Sequence, residues 1–541
     1  MKKIARYWHT LRYLRPVQFY GRLWFRFVRP TADIRSAPAL RTGVGAWASP
    51  ARREPSLLDE GRFVFLSEEG ALSEVGWDGP AREKLWRYNQ HYFDDLNALG
   101  TGQRVAWHRH LLADWVARNP VGEGNAWEPY PLSLRIVNWV KWAQAGNPLP
   151  AQCVQSLAVQ ARWLTKRLEI HLLGNHLFAN AKALVFAGLF FQGEEAEAWL
   201  HKGLAIIARE LPEQILADGG HFERSTMYHA LAFEDMLDLC NIAQVYAPTR
   251  HAQIKGWREV ARKMRGWLTA MCHPDGEIGL FNDAALGIAP SVAELLGYAD
   301  RLALAGPQVQ AAQFRHLASS GYVRLEAPDM LALLDVAPIG PDYLPGHAHA
   351  DTLTFECSFH GQRVFVNSGT SCYGISAERL RQRGTAAHNT VVVDGENSSE
   401  VWGGFRVARR ARPLSLKISH ENGDRIACSH DGYRRLPGQP VHRRTWFVNG
   451  QLRIEDAVSG RFGHAQARFH LHPDVKVQLV AGGSTVSLAL PDGHEIRCEV
   501  ERGVASLEPS TYHPRFGVSQ ATHCLVVELV DGLSVVRIDW N

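Results

Sequence analysis

The chain has 541 residues, of which 46% are hydrophobic and 21% are charged. This length exceeds what one hydrophobic core supports and predicts two or three domains, and this composition excludes a disordered or fibrous protein. The 59 Lys and Arg side chains nearly balance the 55 Asp and Glu. Bulk charge therefore gives no reason to expect nucleic acid as a partner, and an anionic ligand must be bound locally.

Residues 1–79 form a lead-in that begins with the basic, aromatic-rich segment MKKIARYWHTLRYLRPVQFYGRLWFRFVRP. Arginines interrupt its apolar residues, so the segment lacks the apolar core of a signal peptide and cannot span a bilayer. It either lies on an anionic membrane surface or packs on its own domain as a cationic helix. We expect no transmembrane segment and a cytoplasmic or inner-membrane-peripheral location, with a periplasmic one left open. The oligomeric state is not indicated.

Residues 80–320 have the pattern of consecutive helices with short connections. Apolar residues recur there at three- and four-residue steps. Helical hairpins packed side by side bend into a toroid whose inner loops form a groove. The sequence therefore predicts an α/α toroid with helices in the runs 81–99, 131–145, 153–170, 177–191, 197–215 and 228–246.

Residues 321–541 change to short β-rich runs, such as DMLALLDV, RTWFVNGQLRIEDAV and CLVVELVDGLSVVRIDW. Turn signals separate these runs at hairpin spacing with no helix between them, which predicts antiparallel, layered sheets. We expect a multidomain α + β protein in which a helical toroid precedes an antiparallel β-sandwich.

The first polar cluster is GNAWEPYPLSLRIVNW, where Trp127, Glu128 and Tyr130 precede a helix that carries Arg135. Aromatic rings stack on sugar faces and an arginine fork holds a carboxylate, so these four are candidate contacts to an acidic sugar. Tryptophans that belong to the core are the commoner explanation.

Two further clusters lie at predicted helix starts. LLGNHLFANAKAL carries Asn175 and His176, and DGGHFERSTMYH carries Glu223, Arg224 and Tyr228. An Asn at a helix start is usually an N-cap, and the second stretch also fits a polar, capped helix entry. The alternative is a group of side chains for proton transfer and hydrogen bonding at the rim of the groove.

The fourth cluster opens the β-rich part, in GHAHADTLTFE, VFVNSGTSCYG and GTAAHNTVVVDG. If the first stretch is extended, His347, His349 and Asp351 lie on one side, as a proton-transfer or metal array would. A hairpin brings His388 towards them, and Tyr373 is a further candidate for substrate binding.

Several of these motifs together resemble the heparinase II/III-like family of polysaccharide lyases, which includes heparin-sulfate lyases and related alginate lyases. The resemblance covers about 80–480 and rests on GNHLFANAKALVFAGLFF, DGGHFERSTMYH, GHAHADTLTFE, VFVNSGT and AAHNTVVVDGENSSEVWG. It implies an incomplete α/α toroid followed by a β-sandwich, in agreement with the pattern of the elements.

The chemistry that the resemblance implies is β-elimination at a uronic acid of an acidic polysaccharide or oligosaccharide. Asn175 matches the family's Asn that neutralises the carboxylate, and His176 is a second donor or a base. Tyr228 and His347 match the catalytic tyrosine and histidine and supply acid and base, in an order left open. Arg224 would lower the pKa of Tyr228 if it stands near the hydroxyl.

The resemblance also implies a structural zinc or other divalent cation, held at the positions of His349, Asn367 and His388. Asn367 stands where the family has an acidic ligand, which weakens the predicted site.

Two rival functions stay open at this stage. One is a glycoside hydrolase on an α/α scaffold, which needs two carboxylates, and Glu128, Glu223 and Asp218 are available. The other is an inactive glycan-binding protein of exopolysaccharide assembly. The path of an anionic polymer is predicted to involve some of Arg379, Arg381, Arg383, Arg406, Arg409 and Arg410.

Overall fold

The computed structural model describes residues 2–247, 251–305, 314–480 and 483–540. Within these ranges a helical part comes first and a β-rich part second. The α-helices are α1 (Lys2–Leu11), α2 (Pro16–Phe27), α3 (Leu72–Val75), α4 (Lys84–Gln90), α5 (Val105–Arg118), α6 (Pro129–Gln144), α7 (Ala151–Lys166), α8 (Gly174–Phe190), α9 (Glu194–Gln214), α10 (Thr226–Tyr246), α11 (His251–Ala270), α12 (Val292–Arg301) and α13 (Ala377–Gln382).

The strands form a small N-terminal sheet and the layered sheets of the second part. They are β1 (Leu57–Asp59), β2 (Arg62–Phe65), β3 (Glu68–Ala71), β4 (Phe314–Leu317), β5 (Tyr322–Ala327), β6 (Met330–Asp335), β7 (Phe355–Phe359), β8 (Gln362–Phe365), β9 (Val391–Val393), β10 (Val401–Trp402), β11 (Arg406–Val407), β12 (Pro413–Ser419), β13 (Asp424–His430), β14 (Val441–Val448), β15 (Leu452–Ser459), β16 (Ala465–His470), β17 (Lys476–Leu479), β18 (Thr485–Ala489), β19 (Glu495–Arg502), β20 (Val504–Tyr512), β21 (Gln520–Glu528) and β22 (Leu533–Asp539).

Helix α8 is the centre of the helical part. Fifteen of its 17 residues are buried, as expected for a helix that is apolar on every side. Gly188 of α8 and Gly203 of α9 lie where a Cβ would meet backbone atoms of the other helix, so the two helices pack closely. The predicted helices in 131–145, 153–170, 177–191, 197–215 and 228–246 are confirmed as α6 to α10.

The predicted helix over 81–99 is wrong in its second half, because α4 ends at Gln90. Phe93 takes a left-handed backbone, with φ of 62°, and places its ring against Trp115 and Trp139 in the core. Asp95 then accepts hydrogen bonds from the backbone of Ser56 and Leu57 and from His108. These tertiary contacts replace the helix that the apolar spacing predicts.

The β-rich part is built from antiparallel strand pairs throughout the described ranges, as predicted. An eight-stranded sheet has the order β12-β13-β14-β15-β22-β19-β18-β17, a four-stranded sheet the order β20-β21-β16-β9, and a five-stranded sheet the order β4-β5-β6-β7-β8. Alternating side chains of β14 and β15, among them Trp446 and Ile454, point into one core with residues of the other two sheets. The β-sandwich is confirmed.

The β-rich part differs from its prediction in two respects. Strand β4 begins at Phe314, before the expected limit at 320. Helix α13 interrupts the β-rich part, where no helix was expected. Its N-terminus is capped by Ser376, whose side chain accepts a hydrogen bond from the backbone of Arg379, and the buried guanidinium of Arg379 anchors it. Among the helices of the described ranges, none is both long and apolar enough to cross a bilayer.

Candidate active site

A cavity of about 770 Å³, part of it open to solvent, lies among α6, α8 and α10. Three of the predicted site residues line it: Tyr130 at the start of α6, Asn175 at the start of α8 and Tyr228 in the first turn of α10. The ends of three helices and the loops before them therefore bring these side chains together, although they are far apart in the sequence.

Asn175 is placed by a left-handed backbone turn that favours glycine. Gly174 precedes it with φ of 53°, and a Cβ there would lie 2.3 Å from Leu344 and 3.2 Å from Glu223. The Asn175 amide makes no hydrogen bond to another described residue, so it is free to bind a ligand. The first backbone N–H groups of a helix also lack partners and favour an anion, so the start of α8 suits a carboxylate.

His176 is held by a buried carboxylate beside Asn175. Its Nδ1 lies 3.1 Å from Oε1 of Glu169, and its ring lies 4.5 Å from the ring of Tyr130. Burial opposes the charge on the imidazole, but the charge of Glu169 and the hydrogen bond outweigh burial and raise the pKa of His176. The ring therefore favours its cationic form.

Tyr228 and His347 come from different parts of the chain and stack face to face. Their ring centroids are 3.8 Å apart with 16° between the planes. The hydroxyl of Tyr228 lies 3.0 Å from the hydroxyl of Tyr373, which belongs to the loop after β8. Burial raises the pKa of Tyr228 and of Tyr373 well above the ordinary value, so both hydroxyls keep their protons at neutral pH.

Glu223 contacts His347 and does not line the cavity. Its carboxylate is buried and hydrogen-bonds Nδ1 of His347. Burial raises the pKa of Glu223, but the electrostatic interaction with the ring of His347 and their hydrogen bond outweigh burial and lower that pKa overall. Because Nδ1 is held, Nε2 is the atom of His347 that can exchange a proton. Glu223 is therefore a positioning residue and not the predicted substrate contact.

Asp283 is the residue that the sequence analysis missed. Its backbone N–H donates to the carbonyl of His347 at 2.9 Å, and its carboxylate lies 2.8 Å from Nε2 of His349 and pairs with both terminal nitrogens of Arg379. Asn282 beside it donates to the carbonyl of Arg224 at 3.0 Å. The pair thus ties two loops of the site, those of Arg224 and of His347 and His349, to helix α13. No motif marks it, since FNDAAL resembles any polar turn.

Arg224 does not stand near the hydroxyl of Tyr228, and its predicted effect on that pKa is wrong. It precedes α10 with φ of 58°, and its Nε donates to the carbonyl of Ser320 at 2.9 Å. The guanidinium therefore joins the site loop to the β-rich part. The pKa of Tyr228 is raised by burial and by its hydroxyl neighbours.

Trp127 and Arg135 belong to the core rather than to the site. Trp127 packs between Trp115 and Trp163. Arg135 is fully buried, which keeps it from a ligand, and its guanidinium donates to Gln160 and to two backbone carbonyls. Glu128 binds Lys84 and Tyr88 outside the cavity.

The carboxylates considered for hydrolysis are not arranged as a pair across the cavity. Glu128 lies outside the cavity, Glu223 is committed to His347, and Asp218 accepts hydrogen bonds from the backbone and hydroxyl of Ser320 at 2.7 and 2.9 Å. Most of the predicted arginine path is equally committed. Arg379 and Arg383 are fully buried. Arg381 pairs with Glu378, Arg409 with Glu400, and Arg410 with Asp342.

The predicted metal ligands form a hydrogen-bonded chain. Nδ1 of His349 lies 3.2 Å from Nε2 of His388, whose Nδ1 lies 3.1 Å from Oδ1 of Asn367. Asn367 thus contacts the ring nitrogen that faces away from His349. Burial lowers the pKa of His349 to about 4 and that of His388 well below its ordinary value, so both rings are neutral.

These residues fit only part of a zinc site. The two facing imidazole nitrogens supply two ligands, whereas structural zinc takes four. Across the described ranges no three His, Cys, Asp or Glu side chains form a group that could hold a metal ion. Zinc binding at His349, Asn367 and His388 stays a prediction. The expected shared side of His347, His349 and Asp351 is not formed, because His347 faces Tyr228 while His349 faces Asp283.

Comparison with known protein families gives two matches that together cover most of the chain. The model described as "Heparinase II/III N-terminus" matches residues 103–300, and the model described as "Heparinase II/III-like, C-terminal" matches residues 309–539.

Three curated relatives illustrate the range of similar proteins. A heparin-sulfate lyase of Bacteroides stercoris is 26% identical over 410 residues, which cover 64% of this chain and 60% of the relative. A heparin-sulfate lyase of Pedobacter heparinus is 23% identical and is covered over 58% of its length. A protein of Caulobacter vibrioides called FtsZ-localized protein C is 27% identical over 79% of this chain and 77% of the relative.

Solved structures share the fold at low identity. A crystal structure of heparinase III superposes with a TM-score of 0.69 at 17% identity, over 96% of this chain and 88% of that one. A heparan sulfate lyase from Pedobacter heparinus gives a TM-score of 0.59 at 18% identity, over 96% and 87%. Both have the same order of a helical part and a β-rich part as this chain.

Proposed function

Because the chain belongs to the heparinase II/III-like family, we propose that it is a polysaccharide lyase that cleaves a uronate-containing glycan by β-elimination. The observation that carries the proposal is the stacked pair of Tyr228 and His347: Tyr228 lines the same cavity as Asn175, and His176 follows Asn175 in α8. The pair offers a proton donor and a proton acceptor, and the other two offer a site for a carboxylate.

The carboxylate of the uronate binds at the start of α8. The free amide of Asn175, the N-terminal backbone N–H groups and the ring of His176, whose raised pKa favours the cationic form, neutralise it. Neutralisation acidifies the C5 proton, since negative charge moves onto the carboxylate as that proton leaves. The groups therefore bind the transition state more tightly than the ground state.

His347 takes the C5 proton on Nε2, because Glu223 fixes the ring through Nδ1. The electron pair of the C5–H bond forms the C4–C5 double bond, and the C4–O4 bond breaks. Tyr228 gives its proton to O4, a role that suits a hydroxyl whose pKa is raised by burial. The stacked imidazolium of His347 then stands close enough to return a proton to the tyrosine through solvent.

The inner end of the cavity favours a glycan with few sulfate groups. Its three cationic side chains, Arg53, Lys141 and Lys182, are already paired with carboxylates of α10. Lys182 lies 2.7 Å from both Asp235 and Asp238, Lys141 lies 3.1 Å from Asp238, and Arg53 pairs with Glu234. A sulfate would have to displace these carboxylates and would be repelled by them.

The proposal is tested on a panel of acidic polysaccharides that contains sulfated and unsulfated members. Elimination leaves an unsaturated uronate with new ultraviolet absorbance, whereas hydrolysis creates reducing ends without it. We expect absorbance with an unsulfated polymer and a smaller rate with its sulfated counterpart. Reducing ends without absorbance would instead establish a glycoside hydrolase.

A second candidate function is binding of an acidic polymer without cleavage. The observation that raises a non-catalytic role is the match to FtsZ-localized protein C, a relative whose name states no lyase activity and whose match covers more of both chains than the match to the heparin-sulfate lyase of Bacteroides stercoris. In that case the panel gives saturable binding, measured by calorimetry, with no product of either kind.

A further inference from the structure

The N-terminal hairpin, defined as α1, α2 and their turn, exposes an unusual amount of apolar surface. Of the 21 large hydrophobic side chains that are exposed in the described ranges, ten lie in residues 4–28. Ile4, Trp8 and Leu11 follow one another on one face of α1 at helical spacing. The exposed large hydrophobic side chains of α2 are Phe19, Tyr20, Leu23, Trp24 and Phe27.

The same segment is purely cationic. Residues 1–32 contain eight of the 59 Lys and Arg and none of the 55 Asp and Glu, so the rest of the chain has 51 basic and 55 acidic side chains. Arg6, Arg12, Arg22 and Arg26 are exposed on the hairpin among the apolar residues. Positive charge is thus concentrated on the surface that also exposes the aromatic rings.

The opposite face of the hairpin is packed on the body of the protein. Gln18 is buried and donates to the carbonyl of Tyr343 at 3.2 Å, and the Cβ of His171 lies 2.9 Å from where Gly21 would carry a Cβ. Trp402 of the β-rich part donates to Thr10 at 3.1 Å. These contacts hold α1 and α2 in place, so the apolar side chains are displayed by a fixed platform.

We propose that the exposed face of the hairpin docks on an anionic lipid bilayer, with the aromatic and aliphatic side chains in the interface and the arginines at the phosphates. A helix with this distribution of charge and apolar residues lies in the plane of a membrane surface, where Trp, Tyr and Phe are favoured. A negatively charged surface complements the positive charges of the segment, apart from Arg15, which pairs with Glu213, whereas the acidic remainder of the chain is repelled.

The position of the hairpin gives docking a consequence for the site. Gln18 holds the backbone of Tyr343, and the next residue, Leu344, packs against Gly174 beside Asn175. The hairpin therefore touches the loop that borders the cavity. A docked protein would hold its cavity close to the bilayer and meet polymer at the membrane surface. This consequence rests on the proposed function, whereas docking itself does not.

The test is co-sedimentation of the full chain with vesicles of phosphatidylcholine alone and of equal parts phosphatidylcholine and phosphatidylglycerol. We expect binding to the second kind only, weakened by added salt. Leu23→Glu should reduce partitioning about tenfold or more, because it removes one buried leucine from the interface. Arg26→Gln should reduce it about fivefold, the effect of one basic residue near an anionic surface.

Val504→Glu is the matched control. Val504 on β20 is 61% exposed, as is Leu23, and the substitution changes the charge equally. Val504→Glu should bind the vesicles like the wild type, and both Leu23→Glu and Val504→Glu should have the melting temperature of the wild type. Three results would overturn the proposal: no binding of the wild type to the anionic vesicles, equal loss in both variants, or, without lipid, a dimer that only Leu23→Glu dissociates. None of these depends on lyase activity.

Discussion

Replacement of Tyr228 by Phe removes one hydroxyl and keeps the ring that stacks on His347. We expect turnover to fall by about 10²–10⁴, the usual contribution of a general acid or base. The cost in stability is small, because the one hydrogen bond that the hydroxyl makes to a described residue is the 3.0 Å contact to the hydroxyl of Tyr373. A neutral hydrogen bond of this kind contributes about 0.5–1.5 kcal/mol.

Tyr373→Phe is the control that the structure offers, because it removes the other half of the same hydrogen bond. The two variants should lose similar melting temperature, while only Tyr228→Phe loses turnover. The assay is the rate of ultraviolet absorbance on the polymer found active in the panel, with substrate binding measured by calorimetry. Wild-type turnover by Tyr228→Phe, or a larger loss in Tyr373→Phe, would refute Tyr228 as the acid.

Four other outcomes are expected. Asn175→Ala should lower kcat by about 10²–10³ with a smaller rise in KM, since the amide stabilises charge that develops in the transition state, and an effect on KM alone would reassign it to binding. Asp283→Asn should lower the free energy of unfolding by about 3–5 kcal/mol, because it leaves a buried arginine unpaired, and a denaturant melt at wild-type stability would contradict this. Asn367→Asp tests the predicted zinc site: if His349, Asn367 and His388 together hold the ion, the anionic ligand should tighten binding, and elemental analysis and a chelator melt that show no gain would contradict that arrangement. Burial lowers the pKa of His221 to about 4 and that of His470 to about 3, so the unfolded chain binds more protons than the folded one. Each therefore stabilises fully above about pH 6.5 and loses about 1.4 kcal/mol per pH unit as pH falls towards those values. Melting temperatures that stay level from pH 7 to pH 4.5 would contradict this loss of stability at low pH.

The helical part and the β-rich part were recognisable in the sequence because each has a repeating pattern of apolar residues. The lead-in was recognisable because arginines interrupt its apolar residues. Apolar residues at helical spacing mark α8, and alternation marks strands such as β15, since each pattern is the one that buries a face of its element. The motifs around Asn175 and Tyr228 were recognisable because each combines a backbone break with polar side chains at a helix start.

The division between core and site was decided only by the tertiary structure. Trp127 and Arg135 read like contacts to an acidic sugar, but a side chain's exposure depends on what the rest of the chain places over it, and here the neighbouring helices cover both. Asp283 shows the reverse case. It stands in an ordinary turn, yet it joins His347, His349 and Arg379 because distant loops converge on it. Local sequence fixes local backbone preference, whereas long-range packing fixes which polar groups meet.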